Sequence, residues 1–204
     1  MGLKHQAASA RKWRAAIRRI ETHLPEYLPP IFFLTDPERV PDPIHAIRNL
    51  PRGSGVIYRH FGAENRLTVG ADLQRVCSEM DHKFLVSADP QLALTINADG
   101  VHWPEVKLPS TRQWHGRFRL QTASAHSGRA IRRAAQAGMD AVLFSAIFPS
   151  ASPSAGSPLG AARLRFHKAQ AKIPIYALGG LNARNAGRIS GVSGGAGIEG
   201  LMSS

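Results

Sequence analysis

The segment Ile173-Pro-Ile-Tyr-Ala-Leu-Gly-Gly-Leu-Asn182 contains the pattern on which the fold prediction depends. Its apolar run is short enough for one buried strand, and the paired glycines end that run. A helix is expected to begin near Asn182. The segment therefore predicts a strand that turns through glycine into a helix.

The same alternation of strand and helix patterns extends over most of the 204 residues. Strands are predicted at residues 31–34, 55–58, 83–86, 100–102, 118–122, 141–144, 175–178 and 197–198. Helical patterns lie between them, at 42–50, 67–80, 91–97, 127–138, 159–172 and 183–189. Eight strands with a helix after nearly each one predict an α/β fold, a single (β/α)₈ TIM barrel. An open doubly wound sheet is the structural alternative.

An extra helix is predicted within an N-terminal segment, residues 1–28, that precedes the barrel at 29–204. Trp13, Ile17, Ile20 and Leu24 recur at helical spacing over residues 8–24, and basic residues cover the other face. We expect this helix to cover the first strand of the barrel or to close its bottom. A membrane-surface helix and an organelle transit segment are the alternatives, because such segments are rich in arginine and poor in acidic residues.

Composition restricts the class of protein and of partner. The chain has 26 lysines and arginines against 14 acidic residues, a formal charge of +12, which favours anionic partners. The basic residues are spread along the chain without interleaved aromatic residues, so nucleic acid is not an expected partner. No apolar run approaches the length of a membrane span, and we expect a cytoplasmic protein. The single cysteine, Cys77, lies on an apolar helix face and is predicted to be a core residue.

Two glycine clusters accompany the predicted strands seven and eight, Gly179-Gly180 and Gly194-Gly-Ala-Gly197. Paired glycines let the main chain approach an anion closely, and a helix N-terminus adds a favourable dipole. Barrels often bind phosphate at the loops after these two strands. We therefore predict a phosphate site at Gly179, Gly180, Gly195 and Gly197. Two ordinary turns are the alternative interpretation.

Polar residues at other strand ends are candidates for the same rim. Ser124 and His126 lie where strand five passes into its helix, and a histidine there can act as a general acid or base. A capping serine beside a solvated histidine is the alternative. His102 ends strand four, where a structural histidine is an equal alternative, while Arg59 ends strand two and Ser150 follows strand six. The histidines never recur at i, i+4 and no carboxylates gather at one strand end, so no metal site is predicted.

Eight short segments carry a resemblance to a known family: Phe33-Leu-Thr-Asp36, Phe84-Leu-Val-Ser-Ala-Asp-Pro-Gln-Leu-Ala-Leu94, Ala98-Asp-Gly-Val-His102, Thr122-Ala-Ser-Ala-His126, Gly138-Met-Asp-Ala-Val142, Ile147-Phe-Pro-Ser150, Tyr176-Ala-Leu-Gly-Gly180 and Gly195-Ala-Gly-Ile198. In this order and at these strand positions, the chain resembles the thiamine phosphate synthase and TenI (thiazole tautomerase) family from about residue 31 to residue 201. Members of that family are (β/α)₈ barrels.

The resemblance implies one of two activities. The synthase joins a hydroxymethylpyrimidine diphosphate to a thiazole phosphate with magnesium and releases pyrophosphate. The tautomerase isomerises a carboxythiazole phosphate with a histidine as proton shuttle. In both cases the resemblance implies that the thiazole phosphate binds near strands seven and eight, and it aligns His126 with the tautomerase histidine.

The positions at which the synthase holds diphosphate and magnesium carry other residues in this chain. The Gln-x-Arg-x-Lys motif after strand two corresponds to Ile57-Tyr-Arg-His-Phe61, which keeps only Arg59. The Asn-Asp pair after strand three corresponds to Ser87-Ala88, and the metal-binding aspartate after strand four corresponds to Lys107. The Thr-x-Thr-Lys loop after strand six corresponds to Ser150-Ala-Ser-Pro153. We therefore expect no cofactor, with magnesium only if synthase activity is retained.

The first hypothesis is a thiamin-pathway barrel that binds a thiazole phosphate and transfers a proton through His126. Its site would include the glycine loops and five further residues, Ser124, Ser150, Ser152, Arg59 and His102. The alternatives are an active thiamine phosphate synthase with a rearranged diphosphate site, and a non-catalytic protein that binds a phosphate ligand. A homodimer is left open.

Overall fold

The computed structural model describes residues 2–150 and 156–201. At its centre is a closed barrel of eight parallel strands: β1 (Ile31–Leu34), β2 (Gly55–Tyr58), β3 (Lys83–Ser87), β4 (Gly100–Trp103), β5 (Leu120–Ala125), β6 (Ala141–Phe144), β7 (Ile175–Leu178) and β8 (Gly194–Gly197). Phe33 of β1 is in register with Val56 of β2 on one side and with Gly197 of β8 on the other. The sheet therefore closes, which confirms the (β/α)₈ barrel and excludes the open sheet.

In the described part of the chain, one helix precedes β1 and others connect most of the strands. They are α1 (Gly2–Glu21), α2 (Pro43–Arg48), α3 (Arg66–Glu79), α4 (Pro90–Thr95), α5 (Gly128–Gln136) and α6 (Gly160–Gln170). Two 3₁₀ helices, Glu105–Trp114 and Ala186–Arg188, follow β4 and β7. Asp42, Asp89 and Ser127 begin α2, α4 and α5, because their side-chain oxygens accept a backbone N–H from the first helical turn.

The prediction of a helix beginning near Asn182 is wrong. Residues 183–189 are all described, and within them the chain forms only the 3₁₀ helix Ala186–Arg188. The side-chain oxygen of Asn185 accepts the backbone N–H of Asn182 at 2.9 Å. Such local side-chain bonds compete with the α-helical ladder, so this loop lacks the helix N-terminus that the sequence predicted.

Two strands occupy different residues from those predicted. β5 begins at Leu120 and continues to Ala125, so Ser124 lies inside the strand and not beyond its end. β8 spans Gly194–Gly197, so the second glycine cluster is itself the strand. A tyrosine explains part of this, because a Cβ on Gly194 would lie 2.3 Å from the ring of Tyr176 on β7. Large side chains on neighbouring strands thus require small residues in β8.

The N-terminal helix packs against the barrel through its apolar face. α1 contacts β8 and the 3₁₀ helix Ala186–Arg188. Trp13, Ile17 and Ile20 are buried in the same hydrophobic core as the barrel strands. The helix thus covers the barrel wall at β8, beside the first strand that we expected it to cover. The apolar face required by a membrane-surface helix is used here for packing within the fold.

Two further expectations concern burial and membrane insertion. Cys77 is buried on α3, which confirms it as a core residue, and burial raises the pKa of its thiol. Within residues 2–150 and 156–201, no helix combines the length and the apolar character needed to cross a bilayer.

Candidate functional site

A cavity of about 560 Å³ opens at the carboxyl ends of the barrel strands. The loops after β6, β7 and β8 form most of its wall, and residues from the loops after β1, β2 and β5 complete it. Among the predicted site residues, those that line it are Arg59, His126, Ser150, Gly179, Gly180 and Gly197. The structure thus brings predicted site residues from five strand ends together around one cavity.

The loop after β7 needs glycine because it lies against the loop after β6. Gly180 has a φ of +63°, and a Cβ there would lie 2.1 Å from the carbonyl oxygen of Pro149. Asn185 then fixes the loop from the other side, because its side-chain N–H donates to the carbonyl oxygen of Gly180 at 2.8 Å. The glycine pair is therefore required by packing as well as being placed on the cavity wall.

The loop after β8 contributes a second glycine surface, but not with all the predicted residues. Gly197 lines the cavity, whereas Gly195 lies in the barrel wall, where a Cβ would be 2.7 Å from the side chain of Leu181. Gly200 also lines the cavity, and a Cβ on it would lie 1.9 Å from the carbonyl oxygen of Leu181. Gly200 was not predicted from the sequence, although it continues the same glycine-rich stretch.

His126 is held by a carboxylate from a neighbouring loop. Glu105, in the 3₁₀ helix after β4, accepts hydrogen bonds from the backbone N–H of His126 at 3.1 Å and from its ring Nδ1 at 3.0 Å. Arg133 of α5 donates to the other carboxylate oxygen of Glu105. A carboxylate only accepts, so Nδ1 carries a proton, and in the neutral form of the ring Nε2 has the lone pair. The imidazole side chain is 62% exposed, so it is accessible to a ligand.

His102 and Ser124 lie inside the barrel and do not line the cavity. The ring nitrogens of His102 are hydrogen-bonded to the hydroxyls of Thr122 and Ser124, each at 2.9 Å. Burial, with a smaller effect from Arg59, lowers the pKa of His102 to about 3. His102 is therefore neutral and fully hydrogen-bonded, and its geometry matches the structural alternative considered for it.

Two ion pairs on the rim link the loops after β1, β2 and β8. Arg59 donates to Asp36 at 3.2 Å, and burial lowers the pKa of its guanidinium. Arg39 donates to both carboxylate oxygens of Glu199, at 3.1 and 2.7 Å. Arg39 and Glu199 were not predicted from the sequence, in which the only signal for Arg39 is its position three residues after Asp36.

The ends of β3 and β4 do not fit a magnesium ion. Asp89 accepts the backbone N–H of Leu92 with one oxygen and the guanidinium of Arg66 with the other. Lys107 donates to the carbonyl oxygen of Ala88 at 3.2 Å. In the described residues, no group of three or more histidine, cysteine or acidic side chains is placed to hold a metal. Magnesium prefers carboxylate oxygens that are free to coordinate, and this edge offers cations instead.

The loop after β6 is described only in part. Ser150 and Gly156, the described residues on either side of positions 151–155, both line the cavity. Ser152, the remaining predicted site residue, lies outside the described residues.

Comparison with known proteins agrees with this architecture. A family model described as thiamine monophosphate synthase matches residues 35–201. The thiamine-phosphate synthase of Methylococcus capsulatus is 34% identical over 133 residues, which cover 63% of this chain and 59% of that protein. That of Alcanivorax borkumensis is 31% identical over 165 residues, covering 76% of each. Among solved structures, thiamine phosphate pyrophosphorylase from Pyrococcus furiosus is 25% identical with a TM-score of 0.73, covering 87% of this chain and 89% of that chain.

The matched region differs in extent among these relatives. The chain spans between 35% and 59% of the length of three of the curated synthases that it matches. The family match itself covers most of the barrel, from the end of β1 to the residues after β8. The chain belongs to the thiamine monophosphate synthase family.

Proposed function

We propose that the barrel binds a thiazole phosphate in this cavity and that His126 moves a proton on the bound ligand, as an isomerase of thiamin biosynthesis. The observation that carries the proposal is the contrast between two halves of the barrel mouth. Glycine loops and a carboxylate-held histidine line one half. In the other half, Phe61, Ala88 and Lys107 occupy positions of the diphosphate and metal ligands. Asp89, one position after Ala88, is paired with Arg66.

The phosphate is assigned to the loops after β7 and β8. Gly179, Gly180, Gly197 and Gly200 line the cavity without a side chain, so an anion can approach their main chain closely. Arg59 adds a positive charge to the same wall. Barrels commonly bind phosphate at this position, which supports the assignment.

The proton transfer is assigned to Nε2 of His126. Its lone pair takes a proton from a C–H bond of the thiazole ring, and the imidazolium that forms is stabilised by Glu105 through Nδ1. The same nitrogen then returns the proton to another atom of the same molecule. One bond to hydrogen breaks and one forms on the same molecule, so the reaction is an isomerisation without a leaving group or a second substrate.

Thiamine phosphate synthesis is the second candidate function. It is favoured by the names of the curated relatives and by Arg59, which lines the cavity and is the one residue kept from the diphosphate motif. Against it, departure of diphosphate needs a growing negative charge to be stabilised, and Arg66 is already engaged by Asp89 and Ser87.

The test incubates the protein with two substrate sets. One contains carboxythiazole phosphate alone, and the other contains hydroxymethylpyrimidine diphosphate, thiazole phosphate and magnesium. We expect isomerisation in the first and no pyrophosphate in the second. Release of pyrophosphate in the second would establish the synthase instead. Ligand binding without turnover in either set would identify a binding protein and refute the proton transfer.

A further inference from the structure

The ion pair between Arg39 and Glu199 joins two loops that border the cavity. Arg39 follows β1 and Glu199 follows β8, and the two residues are 160 positions apart in the chain. The guanidinium uses Nε and Nη2 to bind both carboxylate oxygens, at 3.1 and 2.7 Å. Both residues line the cavity, and Glu199 is the one carboxylate among its described lining residues.

The backbone of Arg39 is fixed by the preceding turn. Asp36 accepts the backbone N–H groups of Glu38 and Arg39 with one oxygen, each at 3.2 Å. Its other carboxylate oxygen accepts a hydrogen bond from the guanidinium of Arg59. The turn therefore holds the backbone of Arg39 in place, while the guanidinium at the end of its side chain can exchange one hydrogen-bond acceptor for another.

Glu199 is an unfavourable neighbour for the proposed ligand. A carboxylate and a phosphate in the same cavity repel each other, and their repulsion is strong where water is partly excluded. Arg39 offsets the charge of Glu199 as long as the pair is closed. A phosphate presents oxygens at a spacing similar to that of a carboxylate, so the same two guanidinium donors can bind either group.

We propose that Arg39 exchanges Glu199 for the phosphate of the ligand, so that Glu199 is a built-in competitor that lowers the affinity of the cavity for phosphate monoesters. This inference rests on the proposed function, because it uses the same cavity as the ligand site. It adds Arg39 as a phosphate ligand from β1, outside the glycine loops. It also assigns Glu199 a role in setting the affinity.

The experiment titrates the full chain with inorganic phosphate by isothermal calorimetry at constant ionic strength. Glu199→Gln removes the competing charge at nearly constant shape, so the Kd for phosphate is expected to fall about twofold to fivefold, the range of an exposed ion pair. Arg39→Ala is expected to raise the Kd by at least the same factor. In the Arg39→Ala background, Glu199→Gln is expected to have less effect than alone, because the competition acts through Arg39.

Matched controls come from an ion pair on the surface of α3. Arg75 donates to Glu79 at 2.7 Å, and the Glu79 side chain is 52% exposed, as is that of Glu199. Neither residue lines the cavity. Glu79→Gln and Arg75→Ala make the same changes in chemistry and net charge, so they measure the non-specific electrostatic effect on phosphate affinity. Arg39→Lys is a second variant, which keeps the charge but loses the two-donor geometry and should fall between wild type and Arg39→Ala.

Three results would overturn the inference. They are an equal Kd for Glu199→Gln and Glu79→Gln, weaker binding by Glu199→Gln than by wild type, and absence of phosphate binding by the wild-type chain. The proposed function fails on a different readout, the isomerisation of carboxythiazole phosphate, so the two failures can be told apart.

Discussion

Glu105 holds His126 by two hydrogen bonds, one to the backbone N–H at 3.1 Å and one to ring Nδ1 at 3.0 Å. The carboxylate comes from the 3₁₀ helix after β4 and the histidine from the loop after β5, so two barrel segments fix one imidazole. Arg133 engages the second oxygen of Glu105 and prevents the carboxylate from rotating away. The pair therefore selects the tautomer that leaves Nε2 unprotonated.

Glu105→Gln is expected to lower the kcat of the proposed isomerisation about 10- to 100-fold with little change in KM. The amide can donate to Nδ1 and so favours the tautomer with the proton on Nε2, which cannot accept one from the ligand. Steady-state kinetics with carboxythiazole phosphate measure both constants. Glu79→Gln, the same change on the surface of α3, serves as the control.

A change confined to KM would contradict the positioning role of Glu105. It would mean that the carboxylate contributes to ligand binding and not to the state of the imidazole.

Gly180→Ala is expected to destabilise the fold more than Gly53→Ala. Both glycines have left-handed φ values, +63° and +73°, so both substitutions carry the same kind of backbone strain of about 1 kcal/mol. At Gly53 a Cβ meets nothing within 4 Å, whereas at Gly180 it would lie 2.1 Å from the Pro149 carbonyl oxygen. Overpacking adds about 1–3 kcal/mol at Gly180 alone.

Urea unfolding of the two variants separates strain from the steric clash. Equal free energies of unfolding for Gly180→Ala and Gly53→Ala would show that the loops after β6 and β7 are not packed as described.

His102 is expected to make the fold sensitive to acid. Its folded pKa of about 3 lies below the ordinary value of 6.5, so the unfolded chain takes up the proton first as the pH falls. The stability due to neutral His102 is present above pH 6.5 and is lost as the pH falls towards about 3. The loss is up to about 1.4 kcal/mol per pH unit for one such group.

Urea unfolding over this pH range, compared with His102→Gln, measures the effect. The glutamine variant starts from lower stability but should have a shallower slope. An unchanged slope would place the acid sensitivity elsewhere, with buried His82 as the next candidate because burial lowers its pKa too.

Magnesium is expected to leave ligand affinity unchanged. Both oxygens of Asp89 are engaged, by Arg66 and by the backbone of Leu92, and Lys107 adds a positive charge beside them. Calorimetric titration with thiazole phosphate and with pyrophosphate, in magnesium or in a chelator, measures this. Magnesium-dependent binding that Asp89→Asn abolishes would show that Asp89 leaves Arg66 to coordinate the metal, and the synthase reaction would regain support.

The barrel was predictable because most of its strands are apolar on both faces. Val142, Leu143 and Phe144 of β6 are fully buried, and such continuous runs are readable from sequence alone. β8 has no apolar run, and its residues are small because Tyr176 and Leu181 occupy the space next to them. The need for small residues in β8 comes from side chains on other strands and loops. The glycine cluster could therefore be recognised in the sequence, but the bounds of the strand could not be predicted from it.

The candidate site residues could be predicted where they directly follow a strand. His126 and Gly180 each follow a recognisable strand, so their positions on the rim could be inferred from the fold. The partners that complete the site are distant in sequence: Glu105 lies 21 residues from His126, and Glu199 lies 160 residues from Arg39. These pairs form because the barrel closes and its loops take particular shapes, and neither can be predicted from the spacing of the residues in the sequence.

The most direct test compares His126→Ala with wild type in turnover of carboxythiazole phosphate and, separately, in its binding. His45→Ala is the matched control, because His45 is an exposed histidine on α2 outside the cavity lining. We expect His126→Ala to lower kcat about 10²- to 10⁴-fold while the Kd changes by less than about threefold, and His45→Ala to change neither. Full turnover by His126→Ala would contradict proton transfer by His126.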